Sequence, residues 1–395
     1  MNTVSRTYIV TLGLAIFSML IGAGNLIFPL FSGMQAGCQT PIAMLGFFIT
    51  AIFLPVLGLI TMILFDGNYD LFFKRLGVIA GNFFIVGCMI TLGPVICLPR
   101  IVSLSHEMIA PFIPWGTLQT ITPMSSFIFS LIFLGATFLA TCRKTKIVEI
   151  LGNVISPVLI VSLAFIFFKG VWSAQSTACN AQPAIDVFKS NILLGYQTLD
   201  LIGALFYASI VLTLLKKTLH PDTLKNSRTL ALICLKASVI GATLLGLVYV
   251  GMATIGAFHG HGFMDMNAAE LFREVSFKIL SSQGAAIIAI ATIFACISTA
   301  IAIGAVLAEY VRTVIFKRHI GFPLALAMVL IASIPLSVGG FEQVSAITSG
   351  PITYIGYPLL ITITICNLMY KLFDFQSIKV PVAATFIVAL ISYLS

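Results

Sequence analysis

Charge is what this sequence has least of: Asp, Glu, Lys and Arg make up only 9% of its 395 residues, against 59% hydrophobic ones. Soluble domains carry roughly 25% charged residues, so a single apolar core inside a hydrated surface is excluded. The structural unit is instead the membrane span of about 20 residues. Cysteine is present but unpatterned. Cys38, Cys88, Cys97, Cys142, Cys179, Cys234, Cys296 and Cys366 include no CxxC pair, so neither a metal knuckle nor a dithiol redox motif is indicated. Most of these fall inside apolar segments as small packing residues, while Cys38 and Cys179 both fall in external connectors, where they can pair. No HExxH, no GxSxG and no cluster of His and Asp occurs, which argues against a membrane enzyme. A channel's carbonyl filter or ring of repeated groups is also missing. The formal net charge of +8 does not signal nucleic acid, because the cations sit in short connectors between apolar runs.

What is there is a series of eleven hydrophobic segments, at about 8–31, 41–64, 76–98, 125–142, 147–169, 188–215, 229–258, 284–309, 321–338, 343–370 and 379–394. The third can extend towards residue 108, and no soluble domain is inserted between them. A single arginine, Arg6, precedes the first run and no small-residue cleavage site follows, so that run reads as an uncleaved helix. With the N-terminus inside, fifteen Lys and Arg residues fall in cytoplasmic connectors. Five (Arg100, Lys169, Lys189, Arg273 and Lys278) fall outside, and Lys236 lies within the seventh segment and snorkels. That alternation supports both the orientation and the segment count. The expectation is a multi-pass protein of the cytoplasmic (inner) membrane of a bacterium, its N-terminus cytoplasmic.

Two of these segments are broken. The first reads Ile21-Gly22-Ala23-Gly24-Asn25-Leu26-Ile27-Phe28-Pro29, and the sixth Gly195-Tyr196-Gln197-Thr198-Leu199-Asp200. At bilayer depth a freed backbone group is expensive, so such breaks survive only where they line a cavity or hold a ligand. Paired breaks in corresponding spans point to a transporter's binding site. The breaks lie five spans apart, and a unit of five spans is odd, so a second copy of the unit must enter from the opposite side. The expected domain is a single transmembrane unit over 1–395. Inverted repeats occupy 8–169 and 188–370, and an extra helix occupies 379–394.

Unwinding at Gly22–Gly24 would free carbonyls before it and amides after it. The half-helix that starts near Asn25 offers a positive dipole end to a substrate carboxylate. Ala23, Gly24 and Asn25 are therefore candidate substrate contacts, the alternative being a glycine-lined helix crossing. Asp200, a carboxylate deep in a span, is a functional candidate by default. It can hold a substrate ammonium, a cation or a proton, or merely cap the second half of its helix. Tyr196, Gln197 and Thr198 can add hydroxyl, amide and carbonyl contacts, and Phe206 and Tyr207 are candidate pocket wall. In the eighth segment Ala295-Cys296-Ile297-Ser298-Thr299 sets a carbonyl and two hydroxyls on one helical stretch, the oxygen ligands a hard cation prefers. Arg100 and Glu107 are placed near the external end of helix 3 as a gate pair or an interfacial pair, and Glu309 and Arg312 near the inner end of helix 8. Residues 264–278 suggest a short amphipathic external helix. Asp66-Gly67-Asn68-Tyr69-Asp70 fails as a calcium loop, since Leu71 stands where glycine is required. His259-Gly260-His261 reads as a turn before it reads as a metal site.

Gly22 to Pro29, continuing to Gln35-Ala36-Gly37, resembles the start of the branched-chain amino acid:cation symporters (LIVCS or BrnQ-type carriers) of the amino acid–polyamine–organocation superfamily. Gly93-Pro94, Pro99-Arg100, Ser105-His106-Glu107 and the break in the sixth segment agree. The resemblance implies an all-α polytopic protein of the leucine-transporter-like fold, a 5+5 inverted repeat with discontinuous helices 1 and 6. It implies a symporter that takes up leucine, isoleucine and valine with Na⁺ or H⁺. It also implies a sodium site made by the carbonyls of Ser18 and Ile21 with Ala295, Ser298 and Thr299. No cofactor is expected beyond the coupling ion, and the partners are the amino acid, the cation and the bilayer. The alternative reading is the same fold with another small solute, such as a different apolar amino acid, a nucleobase or a polyamine. A polyamine would favour several intramembrane acids, and Asp200 alone lies deep in a span.

Overall fold

The computed structural model describes residues 5–142, 156–174, 182–219 and 227–394. Among them seven helices are long and apolar enough to cross a membrane, and four shorter apolar helices accompany them. They fall on the eleven expected segments, called spans 1 to 11 below. The start of the fifth segment, the cations Arg143, Lys144, Lys146 and Lys225, and Cys179 lie outside the described residues. Cys38 is disulfide-bonded, and Cys88, Cys97, Cys142, Cys234, Cys296 and Cys366 are free.

Span 1 is Arg6–Leu20 followed by Ala23–Ala36. The interruption is tighter than Gly22–Gly24: Ile21 turns extended (φ −71, ψ 106), Gly22 has φ −127 and ψ −166, and helix resumes at Ala23. Gly24 and Asn25 thus stand in the first turn of the second half. Span 6 runs Ala184–Tyr196 and Asp200–Thr218, and Leu199 between them is left-handed (φ 61, ψ 16). That conformation costs a side-chain-bearing residue roughly 1–2 kcal/mol, a strain that persists only where the surroundings dictate it.

Two further spans bend where a glycine precedes a proline. In span 3, Val78–Ile90 passes through non-helical Gly93 and Pro94 before Cys97–Ile109, so this span reaches well beyond residue 98. Span 10 does the same at Gly350 and Pro351, between Gly340–Ile347 and Tyr357–Phe373. Proline withholds an N–H and pushes the residue before it out of the α region, which is what interrupts both spans. Span 8 lies within Ala268–Tyr310, which bends at Ser281 (φ 58). The piece before the bend, 268–280, is the helix expected over 264–278, starting four residues later. Asn267 caps it through bonds from the N–H groups of Ala269 and Glu270, both 3.0 Å, and the Glu270 carboxylate accepts from Asn267 N–H at 3.3 Å.

Span 7, Ser227–His259, packs along the second half of span 1 with almost no space between backbones. A Cβ built on Gly256 would overlap the Leu30 carbonyl, and one on Gly33 the Ala253 carbonyl. Small residues are what allow such an approach in membranes. Gly256→Val is expected to lower the thermal midpoint of the detergent-purified protein sharply. Its effect should lie at the upper end of the about 1–3 kcal/mol that overpacking costs, because the atom met is backbone. An unchanged melting curve would refute the close crossing.

Candidate functional site

The first half of span 1 ends at Leu20, and a helix end leaves its last carbonyls without partners in the same helix. Two of these are taken by span 8. Ser298 Oγ donates to the Ser18 carbonyl at 3.0 Å, and Thr299 Oγ1 donates to the Ile21 carbonyl at 2.8 Å. The same hydroxyls also lie 2.8 and 3.2 Å from the Ala295 carbonyl. Span 8 therefore brings one carbonyl and two hydroxyls, from residues three and four apart on one face, against two carbonyls of span 1. All five oxygens are uncharged, and Ser18, Ser298 and Thr299 are buried. Gly22 is small for the same reason: a Cβ there would come within 3.1 Å of Thr299 Oγ1.

One residue further begins a small cavity of about 20 Å³, walled by Gly24, Asn25, Arg100, Asp200, Tyr207 and Thr299 among others. That volume holds roughly one water. Asn25 ties the breaks together. Its Oδ1 accepts from Gly22 N–H at 3.0 Å, and its Nδ2 donates to Asp200 Oδ2 at 2.6 Å and to the hydroxyl of Tyr249. Tyr249, from span 7, donates in turn to Asp200 Oδ2 at 3.1 Å. Asp200 opens the second half of span 6, where the helix N-terminus favours negative charge.

Residues 5–395 of this chain match the family described as branched-chain amino acid transport protein. The chain belongs to that family. It is 28% identical over 384 residues to the branched-chain amino acid permease BrnQ of Bacillus subtilis (strain 168), covering 94% of this chain and 83% of the relative. The permease BraB of the same organism is 27% identical over 369 residues, covering 92% and 80%. Among solved structures, the inward-facing conformation of Mhp1 superposes with a TM-score of 0.54 at 14% identity, over 97% of this chain and 88% of that one. This branched-chain amino acid transport family member therefore has the leucine-transporter-like fold, is a multi-pass membrane protein, and has transport permeases rather than enzymes as relatives.

In this member of the family the fold distributes the sequence candidates unevenly. Ser18, Ile21, Ala295, Ser298 and Thr299 converge, as do Ala23, Gly24, Asn25, Thr198 and Asp200 around the cavity. Tyr196 is elsewhere: its ring stacks on Tyr357 at 4.8 Å. Phe206 turns away from the cavity and packs on Phe73 and Tyr69, at 6.3 and 5.7 Å, whereas its neighbour Tyr207 forms cavity wall. Successive helical residues point about 100° apart, so only one of the two can face inward. Gln197 contributes its carbonyl to Arg100 and also lines a second cavity.

Arg100 is the largest correction. It does not stand at the external end of span 3 beside Glu107 but lies buried, 2% exposed, in the cavity wall. Nη1 donates to the Gln197 carbonyl at 2.6 Å and Nη2 to Thr348 Oγ1 at 2.7 Å. No Arg100–Glu107 ion pair exists among the described residues, and Glu107 Oε2 has no hydrogen-bond partner. Arg100, Tyr249 and Thr348 were not among the sequence candidates for the site. The available signal was the Gly-Pro pair six residues before Arg100 and the one two residues after Thr348. Elsewhere, Glu309 and Arg312 pair along one helix face at 3.5 Å, and Lys236 is exposed. His259 is engaged with the Gly170 carbonyl at 2.8 Å, and no group of three His, Cys, Asp or Glu side chains suited to a metal occurs among the described residues. Asn68 caps a short helix, Tyr69–Lys74, through the Leu71 N–H.

Proposed function

We propose that this protein imports leucine, isoleucine and valine by alternating access, coupled to Na⁺. The observation that carries the coupling is the meeting of five uncharged oxygens at the break of span 1, one of which, Thr299 Oγ1, belongs to a residue that also lines the cavity. An all-oxygen, formally neutral set suits a hard monovalent cation, and Na⁺ is here a transported substrate. Its charge would complement the partial negative end of the first half-helix of span 1. Ser18 and Ile21 sit on the half of span 1 that packs against spans 7 and 8, so cation binding and the position of that half-helix are one equilibrium. A ligand shifts such an equilibrium only by its differential affinity for the two states. Proton coupling is the second reading, favoured by one observation: Asp200, a titratable carboxylate, lines the same cavity.

The expected orientation is N-terminus inside, in the cytoplasmic (inner) membrane. The cation bias supports it more strongly once Arg100 is removed from the external connectors, since fifteen then oppose four. Residues 8–169 and 188–370 are read as the two inverted repeats, with 379–394 outside them.

Thr299→Val keeps the shape and deletes one oxygen. It is expected to raise the Na⁺ concentration for half-maximal leucine uptake in proteoliposomes about tenfold, a loss of about 1.4 kcal/mol. Leucine affinity at saturating Na⁺ should stay within about twofold, less than 0.5 kcal/mol. If Na⁺ activation is unmoved while leucine affinity collapses, the oxygen cluster is not the cation site.

A further inference from the structure

The cavity wall carries one acidic and one basic side chain that make no ion pair with each other. Asp200 faces it from span 6 and Arg100 from span 3, with Cys97 on the same wall one turn before Arg100. Among the described residues Arg100 makes no ion pair with any carboxylate. Its recorded hydrogen bonds go to a carbonyl and a hydroxyl, both neutral, and its buried Nε has no hydrogen-bond partner at all. A guanidinium carries five N–H donors in a planar fork that matches a carboxylate in two-point contact. Burying such a group without a counter-charge is costly, and charged groups inside membrane proteins pair with one another or mark a substrate pathway.

The surroundings fix the fork. The Arg100 guanidinium carbon lies 5.2 Å from the Phe28 ring centre and 6.0 Å from that of Phe341. Those rings, with Gln197, also wall the second, larger cavity of about 300 Å³. Arg100 therefore stands between that larger cavity and the small one holding Asp200. Its anchors are the Gln197 carbonyl, freed where span 6 unwinds, and the Thr348 hydroxyl, two residues before the kink of span 10.

We infer that Arg100 is the carboxylate anchor of the transported amino acid. The ligand is a zwitterion laid between Arg100 and Asp200, its ammonium towards Asp200; the small cavity has room for about one water in this state, so the site must widen to admit the rest of the solute. This rests on the reading that the solute is a branched-chain amino acid. It assigns the carboxylate to a side chain on span 3 in addition to the amides at the start of the second half of span 1. A wall with one charge of each sign selects α-amino acids over amines and fatty acids of the same shape.

The test measures competition against labelled leucine on purified wild-type protein and on Arg100→Gln and Arg100→Lys. The competitors are leucine, leucinol (no carboxylate) and 4-methylpentanoate (no ammonium). In wild type, leucinol should compete about 10- to 100-fold less well than leucine, the range that loss of a charge-assisted contact converts to. In Arg100→Gln that ratio should shrink to about 1–3, within 0.7 kcal/mol, while the ratio of leucine to 4-methylpentanoate is retained. Arg100→Lys, which keeps the charge but not the fork, should fall between. Wild-type protein that binds leucinol as well as leucine overturns the assignment without any variant. Equal loss of leucine and leucinol in a folded Arg100→Gln protein also overturns it and leaves Arg100 as a structural tie between spans 6 and 10. Failure of wild type to take up leucine at all is a different result: it rejects the branched-chain reading. The alcohol-to-acid ratio is then measured on whichever zwitterion is carried.

Discussion

Replacing Gly24 by leucine is expected to abolish uptake while leaving the protein inserted in the membrane. A Cβ at this position would already lie 3.1 Å from the Phe28 ring and 3.3 Å from the Thr198 Cα, inside ordinary contact distance. The ring can rotate a little, but the Thr198 backbone cannot, because it is held in the interruption of span 6 between Gly195 and left-handed Leu199. The three further carbons of leucine enter a cavity of only about 20 Å³. They therefore either fill the solute's place or drive the halves of spans 1 and 6 apart. Overpacking of this kind costs about 1–3 kcal/mol, which a folded bundle can absorb, and leucine favours insertion of an apolar segment over glycine. The variant should therefore appear in the membrane fraction at normal abundance and elute as a single species in detergent, with leucine uptake at background. Gly24→Ala adds only the crowded Cβ and should retain measurable transport. Near-normal uptake by Gly24→Leu would place the solute elsewhere and remove the central claim about the break.

The contrast between what could and could not be read from the sequence follows from range. Break positions are local: Gly22 and Gly24 with Asn25 and Pro29, or Gly195 followed by Gln197-Thr198, cannot sit unnoticed in a run of Leu, Ile and Phe. Span limits are also local, set by where apolar residues end. The cluster of oxygens proposed for the cation was legible as a cluster for a different reason. Ala295, Ser298 and Thr299 lie one helical turn apart, so their meeting needed only helix geometry, and the resemblance supplied Ser18 and Ile21. Arg100 was misplaced because hydropathy reads an arginine as the end of a span. Only tertiary structure shows that the kink at Gly93-Pro94 carries the chain onward and that Gln197 and Thr348 supply acceptors at that depth. Tyr249 was unmarked because a tyrosine in an apolar helix is ordinary; its role comes from lying opposite Asn25 and Asp200, 224 and 49 residues away in sequence. Phe206 failed by a single residue, since a helix places neighbours about 100° apart and the sequence does not say which of Phe206 and Tyr207 faces the cavity.

Asp200→Asn is expected to cut leucine uptake and leucine exchange together, by about tenfold or more. The geometry has narrowed the readings of this carboxylate. Its side-chain bonds run across to Asn25 of span 1 and Tyr249 of span 7, and the Asp200 N–H at the start of its own half-helix meets the Thr198 hydroxyl at 3.5 Å rather than a carboxylate. Asparagine keeps the volume, and its amide oxygen can still accept from Asn25 and Tyr249. The amide NH₂ then takes the place of the second carboxylate oxygen and confronts whatever positive group the carboxylate held. A hydrogen bond to a charged group contributes about 1.5–3 kcal/mol, and 1.4 kcal/mol is tenfold in binding, so the loss should be read directly in half-saturation for leucine. A proton carrier would behave differently: Asn would stop gradient-driven uptake yet leave exchange of labelled for unlabelled leucine intact, because exchange needs no net proton movement. A mere helix cap would barely notice the change, asparagine being as good a capping residue as aspartate. Net uptake and exchange on this one variant therefore separate three roles. Loss of both supports contact with the transported solute or its cation, loss of uptake alone transfers the coupling to a proton, and preservation of both would leave Asp200 with only a structural role in joining spans 1, 6 and 7.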